Sequence, residues 1–224
     1  MLNHTTKQII LLIFLLLSSN VLANGVERKF IAAGLIDVNA IDSSIKVDLV
    51  NSDPRKNFFE ADFYGGLNKA YLRRSIAVML SKAQSILKKA QPTYSLQVLD
   101  AARPRSVSRA MYEKMQGTGF ERYVANPDKG SMHNYGIAVD ITIIDERGNQ
   151  LDMGPSPFYR SHAKIYWQYF LKQIGMGVSV DQQENRDLLK QTMVKAGFYP
   201  LSHEWWHFNG MTKKDARSTY SIIE

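Results

Sequence analysis

Two short stretches hold the side chains most able to do chemistry. Ser131-Met132-His133-Asn134-Tyr135-Gly136-Ile137-Ala138-Val139-Asp140 supplies an imidazole and a carboxylate seven positions apart. Glu204-Trp205-Trp206-His207 supplies a carboxylate and an imidazole three apart. Two imidazoles and one carboxylate can hold a divalent metal ion and leave a coordination position open for water. A further carboxylate beside them can take that water's proton. These four side chains are the parts of a hydrolytic zinc site. Neither pair is specific alone: His133 and Asp140 also read as a surface histidine and a turn-capping acid, and Glu204 to His207 as an aromatic plug with a buried salt link.

The surrounding pattern says how such groups are positioned. Gly136 lets the chain turn tightly between His133 and the strand that follows. From Ile137 to Ile144 the residues alternate, with Ile137, Val139, Ile141 and Ile143 on one side and Ala138, Asp140 and Thr142 on the other. Glu204 to Phe208 reads as a short strand. An offset of three reverses direction on an ideal strand and shares a face on a helical turn, so spacing leaves the relation of Glu204 to His207 open. Trp205 and Trp206 would wall the site and lower its dielectric. His162 and His203 read as surface or supporting residues, because three ligands already complete a catalytic set. Leu96–Leu99 reads as a strand leading into Asp100-Ala101-Ala102-Arg103-Pro104. Pro104 biases Arg103 towards extended geometry, where its guanidinium can meet the negative charge of a tetrahedral intermediate or simply face solvent.

Ile45 to Val50 alternates as a half-buried strand does. Tyr71 to Ala90 has helical spacing, with Pro92 past its end; a second helix spans about Ser106 to Met115, and a short one His162 to Leu171. A further helix runs to Ala196, capped by Asp181 and ended by Gly197. Strands gather rather than alternate strictly with helices, so the fold class is α+β, as a single domain.

The 224 residues, 45% hydrophobic and 22% charged, suit one globular core. Residues 1–23 read as a signal peptide: Lys7, an apolar run from Ile9 to Leu17, then small residues before a cut after Ala23. That run is too short to span ~30 Å of hydrocarbon, which takes about 20 residues, so no stable membrane anchor is expected. Residues 24–224 form the mature domain. The chain has no cysteine, which excludes disulfides, a lipid-modified cysteine and a thiolate zinc site. The net charge of +7 falls to +6 on loss of Lys7, and the basic residues are scattered rather than massed, so nucleic acid is not an expected partner.

The pattern Ser-x-His-x-x-Gly-x-Ala-x-Asp followed by Glu-Trp-Trp-His resembles the VanX-type D-alanyl-D-alanine dipeptidases, zinc metallopeptidases related to the VanY-type D,D-carboxypeptidases. Asn57-Phe58, Tyr71-Leu72-Arg73, Asp100 to Pro104, Met153-Gly154, Asn185-Arg186 and Gly197-Phe198 extend the similarity over about residues 45–209. The doubled tryptophan favours the dipeptidase branch.

The resemblance implies that His133, Asp140 and His207 bind one Zn²⁺ per chain. It implies that Glu204 is the general base and then the proton donor, that Arg103 stabilises the transition state, that Ser131 lines the substrate pocket, and that Asp100 lies buried behind Arg103. It also implies a mainly antiparallel sheet flanked by helices, with zinc in a narrow cleft. Two positions depart from the pattern: Ala102 replaces an aromatic, and Tyr159 stands near the place of a carboxylate that receives the substrate's ammonium. The expected function is an exported, periplasmic zinc peptidase (secreted where there is no outer membrane) cleaving the D-Ala-D-Ala dipeptide in cell-wall turnover. Its alternatives are a D,D-carboxypeptidase or other peptidase acting on peptidoglycan stems and, in another class, a non-catalytic wall-binding module.

Overall fold

The computed structural model describes residues 25–118, 124–154 and 177–224. The expected leader, the helix expected from His162 to Leu171 and Tyr159 lie outside the described residues. The strands are β1 (Ile36–Asp37), β2 (Lys46–Val47), β3 (Tyr71–Leu72), β4 (Ser95–Asp100), β5 (Ala138–Ile144), β6 (Tyr199–Leu201) and β7 (Glu204–Asn209). The described helices are α1 (Gly25–Ala32), α2 (Arg74–Ala90), α3 (Arg105–Met115), α4 (Val180–Ala196) and α5 (Lys213–Thr219).

Five strands form one sheet in the order β2-β4-β5-β7-β6, and β1 pairs separately with β3. Only β2–β4 is parallel in the large sheet; β4–β5, β5–β7 and β7–β6 are antiparallel. The architecture is therefore α+β with a mainly antiparallel sheet. At its centre all of β5 is buried. Ile137, Val139, Ile141 and Ile143 join the main apolar cluster, together with Ile76, Leu80, Ala83 and Leu87 of α2 and Leu189 and Met193 of α4. Ala138, Asp140 and Thr142 are buried but lie outside that cluster. One face of β5 thus carries the core, and the other is left for polar work.

Three boundaries differ from the sequence reading. Tyr71 and Leu72 are not the first helical turn but strand β3, pinned by pairing with β1 and by the Arg73 N–H donating to Gly136 O. β2 is shorter than Ile45–Val50 because Val50–Ser52 turns into a 3-10 helix. The cap of α4 is Ser179, not Asp181: Ser179 Oγ accepts from Gln182 N, and the Gln182 side chain accepts from the Ser179 N–H. Asp181 lies in the first turn, where its charge meets the positive end of the helix dipole. Gly197 ends α4 at φ +116°, as its residue type predicts.

Helix α1 is tied to the body through Glu27, whose carboxylate accepts from Tyr71 Oη at 2.6 Å and Lys69 Nζ at 3.0 Å. The Tyr71 hydroxyl and then Lys69 hold the Glu27 carboxyl below its usual 4.5. Folded Glu27 therefore binds its proton less tightly than the unfolded chain does. The resulting stabilisation is complete above pH 4.5 and is lost as pH falls through the lower folded value. Glu27→Gln should lower unfolding stability by about 1 kcal/mol at pH 7. In urea titrations the gap from the parent should close in acid below that range.

Candidate metal centre

His133 is placed by a 3-10 turn, Met132–Tyr135, that begins at Ser131 and ends at Gly136. Asn134 is completely buried and stitches the turn together. Its amide donates to Arg103 O and Ser108 Oγ, and its Oδ1 accepts from the Ser131 N–H. Gly136 has φ +71°, and a methyl group there would come within 2.7 Å of Leu35 Cδ2. Only glycine fits the turn that delivers His133 into β5.

Strand register places the other groups. Asp100 on β4, Asp140 on β5 and His207 on β7 lie opposite one another in a single row across the sheet. His133 Nδ1 meets Ala101 O at 2.6 Å, a partner that can only accept, so the ring proton sits there and the Nε2 lone pair points elsewhere. His207 Nε2 meets Asn209 Oδ1 at 3.0 Å, which leaves the His207 Nδ1 lone pair free in the same way. Those two nitrogens are 3.1 Å apart. Asp140 Oδ1 is 3.0 Å from His207 Nδ1 and 3.4 Å from His133 Nε2. A tetrahedral zinc with bonds of about 2.0–2.1 Å spaces its ligand atoms by about 3.3 Å. Three buried acceptors at these separations repel one another unless a cation occupies their common point, so the donor set fits a metal ion.

Electrostatics agree. Burial raises the proton affinity of Asp140, but His133 and His207 outweigh it and hold the carboxyl well below its usual range. Burial disfavours charged His207, and Asp140 more than offsets it, so His207 is raised above 6.5. A proton thus competes for the point a metal would take, and a bound metal would have to displace it.

Glu204 resolves the open question of spacing. It lies on a strand, yet its Oε2 is 3.9 Å from His207 Nδ1. The pairing of β6 with β7 slips: Pro200 faces Phe208, but Leu201 faces Glu204 rather than His207. The residues bulged out between bring Glu204 back towards the site. Burial, followed by the Asp140 charge, raises the Glu204 carboxyl above 4.5. Arg103 donates through Nη2 to Asp100, and Nη2 is 4.0 Å from Asp140 Oδ2. Its Nε is buried without a hydrogen-bond partner among the described residues.

The expected residues His133, Asp140, His207, Glu204, Arg103 and Asp100 therefore come together, with half-buried Ser131 at the start of the His133 turn. His203 is exposed, its Nε2 3.5 Å from Glu204 Oε1. Trp206 is buried, and Trp205 meets it edge-on at 5.5 Å. Trp205, Thr142 and Met153 line a cleft; none of the three candidate ligands lines it. Asn51, Tyr64, Asn134 and Asn209 support the site and were missed from sequence. For Asn209 a signal existed, since strand period two places it on the side of His207.

Residues 32–223 match the peptidase M15 family model, described as D-ala-D-ala dipeptidase. The chain is 35% identical over 113 residues to the D-alanyl-D-alanine dipeptidase of Escherichia coli (strain K12), covering 50% of this chain and 53% of that relative. The matched stretch thus spans about half the length of the E. coli protein. It is 27% identical over 176 residues to the D-alanyl-D-alanine dipeptidase of Synechocystis sp., covering 65% of this chain and 71% of the relative. A solved LdcB LD-carboxypeptidase has a TM-score of 0.40 at 21% identity, covering 66% of this chain and 63% of that one.

Gly136→Ala should cost about 1–3 kcal/mol of stability in chemical denaturation, because it forces a side chain into left-handed backbone. Asn209→Ala removes the group that orients His207. Competition with a chelating dye should show metal affinity about 10–100-fold weaker, at unchanged secondary structure.

Proposed function

The chain belongs to the peptidase M15 family, and from that membership we propose that it is an exported zinc peptidase hydrolysing D-alanyl-D-alanine as the free dipeptide. The observation that carries this reading is the triangle of buried lone pairs from His133, Asp140 and His207. These residues would hold the zinc, which when bound supplies Lewis acidity and lowers the pKa of water towards ~7.

The remaining side chains have distinct tasks. Glu204 stands off the triangle and has a raised proton affinity, which suits a carboxylate that accepts a proton from the attacking water and returns it to the departing amine. Arg103 is anchored by Asp100 and retains an unpaired Nε–H for the negative charge growing on the scissile carbonyl oxygen. Ser131, at the head of the His133 turn, contacts substrate. Trp205 and Trp206 keep bulk water from the base. The leader directs the enzyme to the periplasm, where it trims or recovers wall peptide. The retention of three ligands and the base argues against a non-catalytic wall-binding module.

A D,D-carboxypeptidase acting on stem peptides is the second reading. The observation that favours it is a cleft whose lining includes Thr142, two residues along β5 from Asp140.

Purified protein should release D-alanine from D-Ala-D-Ala, lose activity to a chelator and recover it with zinc. Release from a muropeptide pentapeptide alone would overturn the dipeptide assignment. Glu204→Gln should lower kcat about 10²–10⁴-fold with metal content unchanged. Parental turnover in that variant would remove the role given to Glu204.

A further inference from the structure

We infer that Tyr64 and Asn51 are positioning residues that clamp Asp100 and, through it, hold Arg103 away from the metal-binding carboxylate; the inference rests on the peptidase reading above. Asp100 is 0% exposed, Tyr64 1% and Asn51 3%. Asp100 Oδ1 accepts from Tyr64 Oη at 2.7 Å and from its neighbour's amide, Ala101 N, at 2.9 Å. Asp100 Oδ2 accepts from Asn51 Nδ2 at 2.8 Å and from Arg103 Nη2. A carboxylate has about four acceptor sites, and here all are taken, so the group cannot rotate.

The reason for such a clamp lies on the other side of Arg103. Its Nη2 is bonded to Asp100 but is also 4.0 Å from Asp140 Oδ2. Arg103 therefore sits between two buried carboxylates, one of which a metal needs. An Asp100 free to swing would let the guanidinium collapse onto Asp140, which would neutralise a ligand and consume the donor meant for substrate. Ala102 is buried and offers only a methyl group, with no polar atom to brace the guanidinium. The restraint comes instead from residues distant in sequence. Tyr64 contributes through its hydroxyl, which bonds Asp100.

The test uses the full zinc-loaded protein and two readouts. Tyr64→Phe keeps the ring and removes only the hydroxyl, and Asn51→Ala provides a second variant should the first fold poorly. Each should lower kcat for D-Ala-D-Ala about tenfold with KM changed less than about twofold. In an Arg103→Lys background the same changes should cost less than about twofold, because the group they position is gone. Independently of turnover, ¹⁵N relaxation should show a rigid Arg103 Nε–H in the parent and a mobile one in Tyr64→Phe. Unchanged Nε–H order, or an equal loss of kcat in both backgrounds, would overturn the clamp. Absence of D-alanine release by the parent would sink the peptidase reading instead, with the relaxation result still deciding the clamp.

Discussion

Three acceptor atoms forced within 3.4 Å of one another are the constraint on which the rest of this structure depends. Two imidazole lone pairs and a carboxylate oxygen do not gather in a dry interior without a cation or a proton between them. The surroundings are arranged so that they must. Ala101 O and Asn209 Oδ1 take the outer ring protons, which fixes the tautomers and turns the remaining nitrogens inward. Strand pairing lines up Asp140 and His207, and the left-handed Gly136 turn brings His133 to meet them.

The sheet divides its labour by face. On one side of β5 Val139, Ile141 and Ile143, with Ile137 just before the strand, join residues of α2 and α4 in a continuous apolar cluster. Each such side chain contributes roughly 1.5–3 kcal/mol on burial, which holds the backbone of β5 firmly behind the polar groups on its other side. That rigid backing matters for a metal site, since displacement of a ligand by a fraction of an ångström changes coordination. The chemistry rests on strand ends and the turns beside them. Asp140 and His207 are on strands, His133 on a capped turn, and Arg103 just past the end of β4.

Charge is layered around this centre. Nearest are the two histidines and Asp140; beyond them Arg103 faces Asp140 on one side and Asp100 on the other, while Glu204 stands beside His207. A buried arginine flanked by two carboxylates remains firmly charged: burial works against the charge, but Asp100, Tyr64 and Asp140 together outweigh it. Glu204 has only histidines near its carboxylate among the described residues, and burial, followed by the Asp140 charge, outweighs them and raises its proton affinity. Two acids a few ångströms from one site are thus driven in opposite directions, which suits the separate tasks of ligand and base proposed for them.

Much of this was legible in the order of residues. Donor chemistry is carried by residue type, so His133, Asp140, His207 and Glu204 could be named before any coordinates, as could Arg103 ahead of Pro104. Period-two alternation assigned the faces of β5, helical spacing located α2 and α4, and Gly136 and Gly197 marked their turns, because each of these signals is local. Folding in three dimensions settled the rest. Tyr71 and Leu72 became a strand through pairing with β1, against their helical spacing. Glu204 reached His207 through a slip in strand pairing, and Asn51 and Tyr64 met Asp100 from 49 and 36 residues away. Such contacts depend on which strands lie side by side and in what register, and no short window of sequence contains the energy of that choice.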